Sequence, residues 1–124
     1  MINGLKQNNS LTWLDLSSNF IDEKGGNEIA SYLATNTSLT FLDLSLNPIG
    51  QRAATKIMEA LQTNNSLTSL NLGSCQLYGE LTFIDASLKT LETNTCLSDV
   101  DLFNNNYSQE DKNKIDSKLL TNCL

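Results

Sequence analysis

One nine-residue segment returns three times along this chain of 124 residues. It reads NNSLTWLDL at 8–16, NTSLTFLDL at 36–44, NNSLTSLNL at 64–72 and, in its most divergent copy, NTCLSDVDL at 94–102. The offsets are 28, 28 and 30 residues, and a fixed period in this range predicts a solenoid of repeats packed on their neighbours. We expect one domain over 1–124, with a partial helix at 1–9 and repeats at about 10–37, 38–65, 66–95 and 96–124.

Within each repeat the apolar spacing changes from that of a strand to that of a helix. In the second repeat, Leu42 and Leu44 alternate as inward-facing strand residues do, and Asn47 follows as a side chain suited to bonding the turn. Ile57 and Leu61 then fall on one face of a helix. The same order in every repeat predicts helices near 22–35, 51–63, 79–93 and 108–121.

The pattern L-x-x-L-x-L-x-x-N/C and the wording SLTFLDLSLNPIG at 38–50 resemble the ribonuclease-inhibitor-like class of leucine-rich repeats. This resemblance implies an α/β fold, a short right-handed horseshoe with parallel strands on its concave face and helices on its convex face. Such domains occur in NOD-like receptors, Ran GTPase-activating proteins and bacterial effectors. The Asn-rich, Pro-poor wording is most similar to the effectors, which implies delivery into the cytoplasm of a host cell.

Stacking of equivalent strands about 4.8 Å apart would arrange their outward residues in columns on the concave face. The first column contains two aromatic residues, and the second contains two acidic residues in the same two repeats. The three columns are Trp13, Phe41, Ser69 and Asp99; Asp15, Asp43, Asn71 and Asp101; and Ser17, Ser45, Gly73 and Phe103. These variable positions are where specificity for a partner would lie.

The aromatic and acidic pairs predict a protein-interaction module that binds a basic patch on a protein partner. Two carboxylates about 5 Å apart repel by about 1 kcal/mol in water, so Asp15 and Asp43 would attract a Lys or Arg. Trp13 would add a cation–π contact or an apolar anchor. The competing interpretation is that these Asp residues belong to the consensus sequence of the repeat and only keep the strand face solvated. A large exposed aromatic such as Trp13 is harder to explain in that way.

Charge and composition argue against several other functions. The formal charge is −6 and the eight basic residues are dispersed, which disfavours nucleic-acid binding. No apolar run approaches the roughly 20 residues of a membrane span. The lack of His and the open strand face disfavour an enzyme, a metal site or a cofactor. Three cysteines cannot all pair, and no signal-peptide pattern is seen, so we expect a reducing compartment such as the cytoplasm.

The two ends of the array differ in polarity. Ile2 and Leu5 match positions in the tail of a repeat helix, so the first strand would lie at an uncapped edge and predicts self-association there. Lys112 and Asp116 replace apolar helix positions of earlier repeats, whereas Ile115 keeps its core position, as expected of a C-terminal cap.

Local features leave further interpretations open. Two extra residues around Tyr78-Gly79-Glu80-Leu81 are expected to bulge at the start of the third repeat's helix. The N-x-S/T sequons at Asn8, Asn36 and Asn64 share one repeat position, so the repeat explains them without glycosylation. Two alternative functions also remain: a regulatory domain of GTPase-activating or sensor type, and a fragment of a longer array with no site of its own.

Overall fold

The computed structural model describes residues 2–78 and 81–122, and it gives only the backbone of residues 2 and 3. Within these residues, five helices alternate with four strands of three residues each. The helices are α1 (Ile2–Lys6), α2 (Glu23–Thr35), α3 (Gly50–Ala60), α4 (Leu81–Thr93) and α5 (Gln109–Asn122). The strands are β1 (Trp13–Asp15), β2 (Phe41–Asp43), β3 (Ser69–Asn71) and β4 (Asp99–Asp101).

The strands form one parallel sheet in the order β1-β2-β3-β4. Neighbouring strands are offset by one repeat, so Trp13 pairs with Phe41, Phe41 with Ser69, and Ser69 with Asp99. Each helix returns the chain to the start of the next strand, as parallel strands require. The predicted α/β repeat solenoid is therefore confirmed.

One continuous core lies between the sheet and the helices. The central strands contribute Leu42 and Leu70, and α3 contributes Ile57 and Met58, all essentially inaccessible to solvent. At the edge of the sheet, Leu14 is only half-buried because β1 has a strand on one side alone. Each inner repeat is thus covered from both sides, whereas a terminal repeat is covered from one side.

The predicted helix limits agree with the structure for α2 and α5 and at the end of α4, while the predicted start at 79 lies outside the described residues. The N-cap of α2 is Asp22, whose carboxylate accepts a hydrogen bond from the Gly25 N–H at 3.1 Å. Ser108 Oγ accepts from the Asp111 N–H at 3.1 Å and caps α5. The predicted limit of 63 for α3 is wrong, since α3 ends at Ala60. The three N–H groups that follow bond carbonyls three residues back, which tightens the last turn into 3₁₀ geometry.

The longer third repeat keeps its core despite the two extra residues. The bulge predicted around Tyr78-Gly79-Glu80-Leu81 falls on residues 79 and 80, which lie outside the described residues. Within α4, Phe83 and Ile84 are buried. Ser87, also buried in α4, donates its hydroxyl hydrogen to the Phe83 carbonyl at 2.8 Å, so its polar group is satisfied inside the helix.

The C-terminal helix has the polar flank predicted for it, whereas the side chain of Ile2, part of the predicted apolar N-terminal end, lies outside the described residues. In α1, Leu5 is half-buried and packs against the core. In α5, Ile115 and Leu119 are buried. Lys112 is half-buried and Asp116 is exposed, so one flank of this helix is polar.

Buried asparagine side chains bond the turns at the carboxyl ends of the strands. Asn47 Nδ2 donates to the Leu16 and Leu44 carbonyls, both at 2.9 Å. Its Oδ1 accepts from the Asn19 N–H at 2.8 Å and the Ile21 N–H at 2.9 Å. This one side chain therefore satisfies backbone groups of two successive repeats that would otherwise be buried without partners.

The third repeat has Cys75 at this position, and the preceding turn differs accordingly. Phe20 and Gln76 have positive φ angles of 55° and 60°. In each case the N–H groups of the residues before and after donate to the same asparagine oxygen, which is Asn47 Oδ1 for Phe20 and Asn105 Oδ1 for Gln76. Cys75 offers no such oxygen, and the turn before it contains Pro48, which has no N–H and a fixed negative φ. The thiol donates instead to the Leu44 carbonyl at 3.2 Å, and burial raises the pKa of Cys75 to about 11.

A second set of asparagines bonds the chain at the other end of the strands. Asn64 Nδ2 donates to the Leu33 and Asn36 carbonyls at 2.8 and 3.1 Å, and its Oδ1 accepts from the Leu67 N–H at 2.9 Å. Asn36 and Asn64 are both buried. At Asn36 and Asn64 the buried amides leave no room for a glycan, and the half-buried Asn8 makes the same turn bonds through its Oδ1, so all three share a structural role in the repeat.

Replacing Asn47 by Ala should lower the free energy of unfolding by about 3 to 5 kcal/mol, because several buried backbone groups lose their partner at once. Asn19→Ala is the matched control, since the Asn19 side chain is exposed and accepts no backbone hydrogen bond. Urea unfolding followed by circular dichroism would measure both. Equal losses in the two variants would contradict the role given to the buried amide.

Candidate functional site

The outward face of the sheet, directed away from the helices, is here called the strand face. It contains the first two predicted columns, which are Trp13, Phe41, Ser69 and Asp99, and Asp15, Asp43, Asn71 and Asp101. Every one of these side chains is exposed or half-exposed. The strand register therefore brings together the residues that the sequence placed in these columns.

Two aromatic rings stack at one end of the strand face. The centroids of Trp13 and Phe41 lie 4.9 Å apart and the ring planes differ by 5°. This distance matches the strand spacing of about 4.8 Å, so the stack follows directly from in-register pairing. Trp13 remains 58% exposed, which leaves the ring face opposite Phe41 open for another group.

The same column becomes polar in the third and fourth repeats. Ser69 Oγ donates to Asp99 Oδ2 at 3.1 Å. This contact occupies the place that a ring pair fills in the first two repeats. The strand face is consequently divided into an aromatic half and a polar half.

The second column has a structural role that the sequence analysis missed. Oδ1 of Asp15, Asp43 and Asn71 each accepts the N–H two residues further on, in every case at 2.9 Å, and Asp101 does the same at 3.0 Å. These bonds fix the chain as it leaves the strand. Asn71 in this column could have indicated the turn role from the sequence alone, because Asn and Asp both accept such a backbone hydrogen bond but only Asp is charged.

The third predicted column offers less surface than the other two. Ser17 is half-exposed, whereas Ser45 is buried. Gly73 lies directly beneath the Phe103 ring, since a Cβ added at Gly73 would meet a ring carbon at 1.9 Å. Phe103 itself is 45% exposed, so it is the main contribution of this column to the surface.

The charges on the strand face are all negative, but their surroundings differ. At the fourth repeat, Lys112 of α5 lines the same depression as Asp99 and Asp101, so a positive charge lies near them. No basic residue of the strand face accompanies Asp15 and Asp43 in the first two repeats. Asp116 lines that depression as well, so both ends of the strand face keep a net negative charge, and the end beside the aromatic stack has no basic side chain within it.

Hydrogen bonds from Ser17, first from its hydroxyl and then from its backbone N–H, lower the pKa of Asp15 from its usual value of 3.8. The carboxylate at this exposed site consequently stays ionised at any physiological pH. Among residues 2–78 and 81–122, no group of three or more metal-ligating side chains is arranged to hold a metal ion. No helix in the described part of the chain has the length and apolarity to cross a membrane.

Comparison with known proteins places these features in a family context. The Leucine Rich repeat model matches residues 7–30, 35–58 and 63–80, more than half of the chain. No protein of curated function matches the sequence.

Solved structures also resemble the fold. The leiomodin-1 Actin-Binding Site 2 (ABS2) structure superposes with a TM-score of 0.80 at 18% identity, covering 98% of this chain and 86% of that one. The tropomodulin C-terminal domain from Caenorhabditis elegans superposes with a TM-score of 0.59 at 16% identity, covering 98% and 90%. At such identities the likeness concerns the fold alone.

Replacing Asp43 by Ala should lower the free energy of unfolding by about 1 to 2 kcal/mol, because the N–H of buried Ser45 loses its acceptor. Asp43→Asn retains an oxygen at that place, as Asn71 does naturally, and should change stability by no more than about 0.5 kcal/mol. Chemical denaturation of the two variants would test this. An Asn variant as unstable as the Ala variant would refute the turn role.

The pH titration of Asp15 should have its midpoint below 3.8 in the folded protein. Because the folded pKa is below the unfolded one, this group stabilises the fold above the unfolded pKa, and the contribution disappears as pH falls through the folded pKa. Carboxyl carbon NMR would measure the midpoint. Ser17→Ala should raise it only part of the way, since the backbone N–H remains, and an unchanged midpoint would exclude the hydroxyl contact.

Proposed function

The chain belongs to the leucine-rich repeat family, and we propose that it is a protein-interaction module whose strand face binds a protein partner. One observation carries the proposal: the stacked Trp13 and Phe41 rings lie beside the Asp15 and Asp43 carboxylates on an exposed parallel sheet. A rigid aromatic surface with an adjacent unbalanced charge is typical of the centre of a binding interface.

The partner presents a basic patch to the first two repeats. A Lys or Arg placed on the open face of Trp13 would gain a cation–π contact of about 0.5 to 2 kcal/mol. Its charged end would reach Asp15, which the Ser17 hydrogen bonds keep ionised. Because both Asp side chains are already oriented by turn hydrogen bonds, little side-chain entropy is lost on binding.

Actin is the first specific partner to test. The leiomodin-1 structure that resembles this fold is described as an actin-binding site, and the superposition covers 98% of this chain. The likeness is one of fold, so the strand-face residues, and not the overall shape, would decide whether actin binds.

The more specific predictions from the sequence, on repeat class, compartment, role and self-association, are also part of this proposal. We place the protein in the ribonuclease-inhibitor-like class and in a reducing cytoplasm, and the free Cys75 and Cys96 support the latter. The effector role in a host cell, the regulatory alternative and self-association through the edge of β1 are further proposals. Nucleic acid is not the expected partner, because the strand-face carboxylates would repel phosphate.

Two strand-face variants test the proposal while sparing the fold. Trp13→Ala and the double variant Asp15→Asn with Asp43→Asn should each weaken partner binding about tenfold or more. Affinity capture from a cell lysate would identify the partner, and calorimetry with the purified partner would give the dissociation constants. Co-sedimentation with filamentous actin and calorimetry with monomeric actin would test that candidate directly.

Matched controls lie on the helices. Leu120→Ala removes an exposed apolar side chain from α5, and Glu28→Gln with Glu92→Gln removes two charges from exposed helix positions. Both controls should leave partner binding unchanged. Recovery of the same partner with equal affinity from the wild type and from both strand-face variants would show that the strand face is not the binding surface.

A further inference from the structure

Two bulky apolar residues lie at the carboxyl edge of the strand face in a conformation that such residues rarely adopt. Phe20 has φ of 55° and is 91% exposed, and Leu46 has φ of 59° and is 55% exposed. Positive φ is uncommon outside Gly, Asn and Asp, and a bulky residue found there calls for a specific explanation.

The fold imposes this backbone conformation whatever side chain is present. On either side of Phe20, the N–H groups of Asn19 and Ile21 both donate to Asn47 Oδ1, at 2.8 and 2.9 Å, which fixes the residue between them. Around Leu46, the turn is held by the Leu46 N–H, which donates to the Gly73 carbonyl at 2.9 Å.

Other repeats fill the same positions with polar residues, except that Pro48 of the second repeat is the equivalent of Phe20. The equivalents of Leu46 are Ser18, Ser74 and Asn104, all with positive φ between 51° and 56°. The equivalent of Phe20 in the third repeat is Gln76. Phe20 therefore carries a conformational cost with almost no burial in return, and Leu46 carries the same cost with more than half of its surface exposed. Neither local geometry nor the core accounts for them, and backbone outliers of this kind cluster at functional sites.

We propose that Phe20 and Leu46, here called the apolar edge, form a second contact region for the partner of the strand face. This inference rests on the proposed function and extends it. The apolar edge belongs to the same two repeats as the Trp13 and Phe41 stack. The strand β2 ends at Asp43, and the path from Phe41 to Ser45, next to Leu46, spans at most about 13 Å at 3.3 Å per residue.

The order of groups along these repeats defines the chemistry of the occupant. The aromatic stack comes first, the Asp15 and Asp43 carboxylates follow, and the apolar edge comes last. The complementary ligand is an extended segment with a basic residue between two apolar residues. In an extended chain, residues i, i+2 and i+4 face the same side and span the same distance of about 13 Å. The occupant is therefore a segment of a partner protein with this alternating pattern.

Substitution by Asn separates binding from folding at the apolar edge. Asn tolerates positive φ better than Phe or Leu, so Phe20→Asn and Leu46→Asn should leave the melting temperature unchanged or raise it. In contrast, each should weaken binding of the segment about tenfold, because an apolar contact is lost. Gln76→Asn, at the matched position of the third repeat, also has a positive φ and should affect the melting temperature in the same direction, but it should leave binding unchanged.

The probe is a displayed library of short peptides with a fixed Leu-X-Arg-X-Leu centre and random residues at X. Peptides selected on the wild-type protein are then titrated while the emission of Trp13, the single tryptophan of the chain, is recorded. The same peptides with both Leu changed to Ser, or with Arg changed to Glu, should bind about tenfold more weakly or worse.

The outcomes separate the two proposals. If peptide binding is lost with Asp15→Asn and Asp43→Asn but kept with Phe20→Asn and Leu46→Asn, the apolar edge is not a contact and the strand-face proposal stands. If the library yields no binder, the ligand pattern is wrong, and lysate capture and the actin assays decide the strand-face proposal independently. If the Asp→Asn variants and the apolar-edge variants all lose binding while their melting temperatures are unchanged, the apolar edge is a contact region for the partner.

Discussion

The carbonyl groups at the carboxyl ends of the strands are buried, and asparagine side chains provide their hydrogen-bond partners. Asn47 joins the turns of two repeats through both ends of its amide, and Asn105 does the same for the next pair of turns. Since an unpaired buried polar group is costly, these bonds allow one register between repeats and disfavour others. The alignment of β1 with β2 and of β3 with β4 depends on this interaction, and between β2 and β3 the Cys75 thiol bonds the Leu44 carbonyl in its place.

The proposed binding surface and the scaffold are therefore built from the same contacts. Register places Trp13 on Phe41 and Asp15 beside Asp43, and the convergence of two N–H groups on Asn47 Oδ1 presents Phe20 to solvent. The carboxylates combine two roles, because one oxygen holds the turn while the charge is available to a partner. Asn71 shows that the turn role alone does not require the charge.

Neighbouring repeats also compensate for each other's departures from the pattern. Cys75 removes an acceptor from the asparagine series, and in the preceding turn Pro48 fixes a negative φ while the Ile49 N–H donates instead to the Asn47 carbonyl at 2.8 Å. Gly73 likewise leaves room for the Phe103 ring from the following repeat. In a solenoid each repeat contacts only the adjacent ones, so such adjustments remain local and the rest of the array is unaffected.

The sequence by itself determined the period, the inward leucines, the helices and the membership of each column, because side-chain alternation and repeat spacing are properties of the chain. The tertiary structure decided the hydrogen bonding, burial and backbone conformation of the residues in and beside those columns. The hydrogen bonds of Asp15 and Asp43, the burial of Ser45 and the conformation of Phe20 and Leu46 all arise where one repeat meets the next. Backbone dihedral angles and contacts between repeats set these features, and neither can be read from the spacing of residue types along one strand.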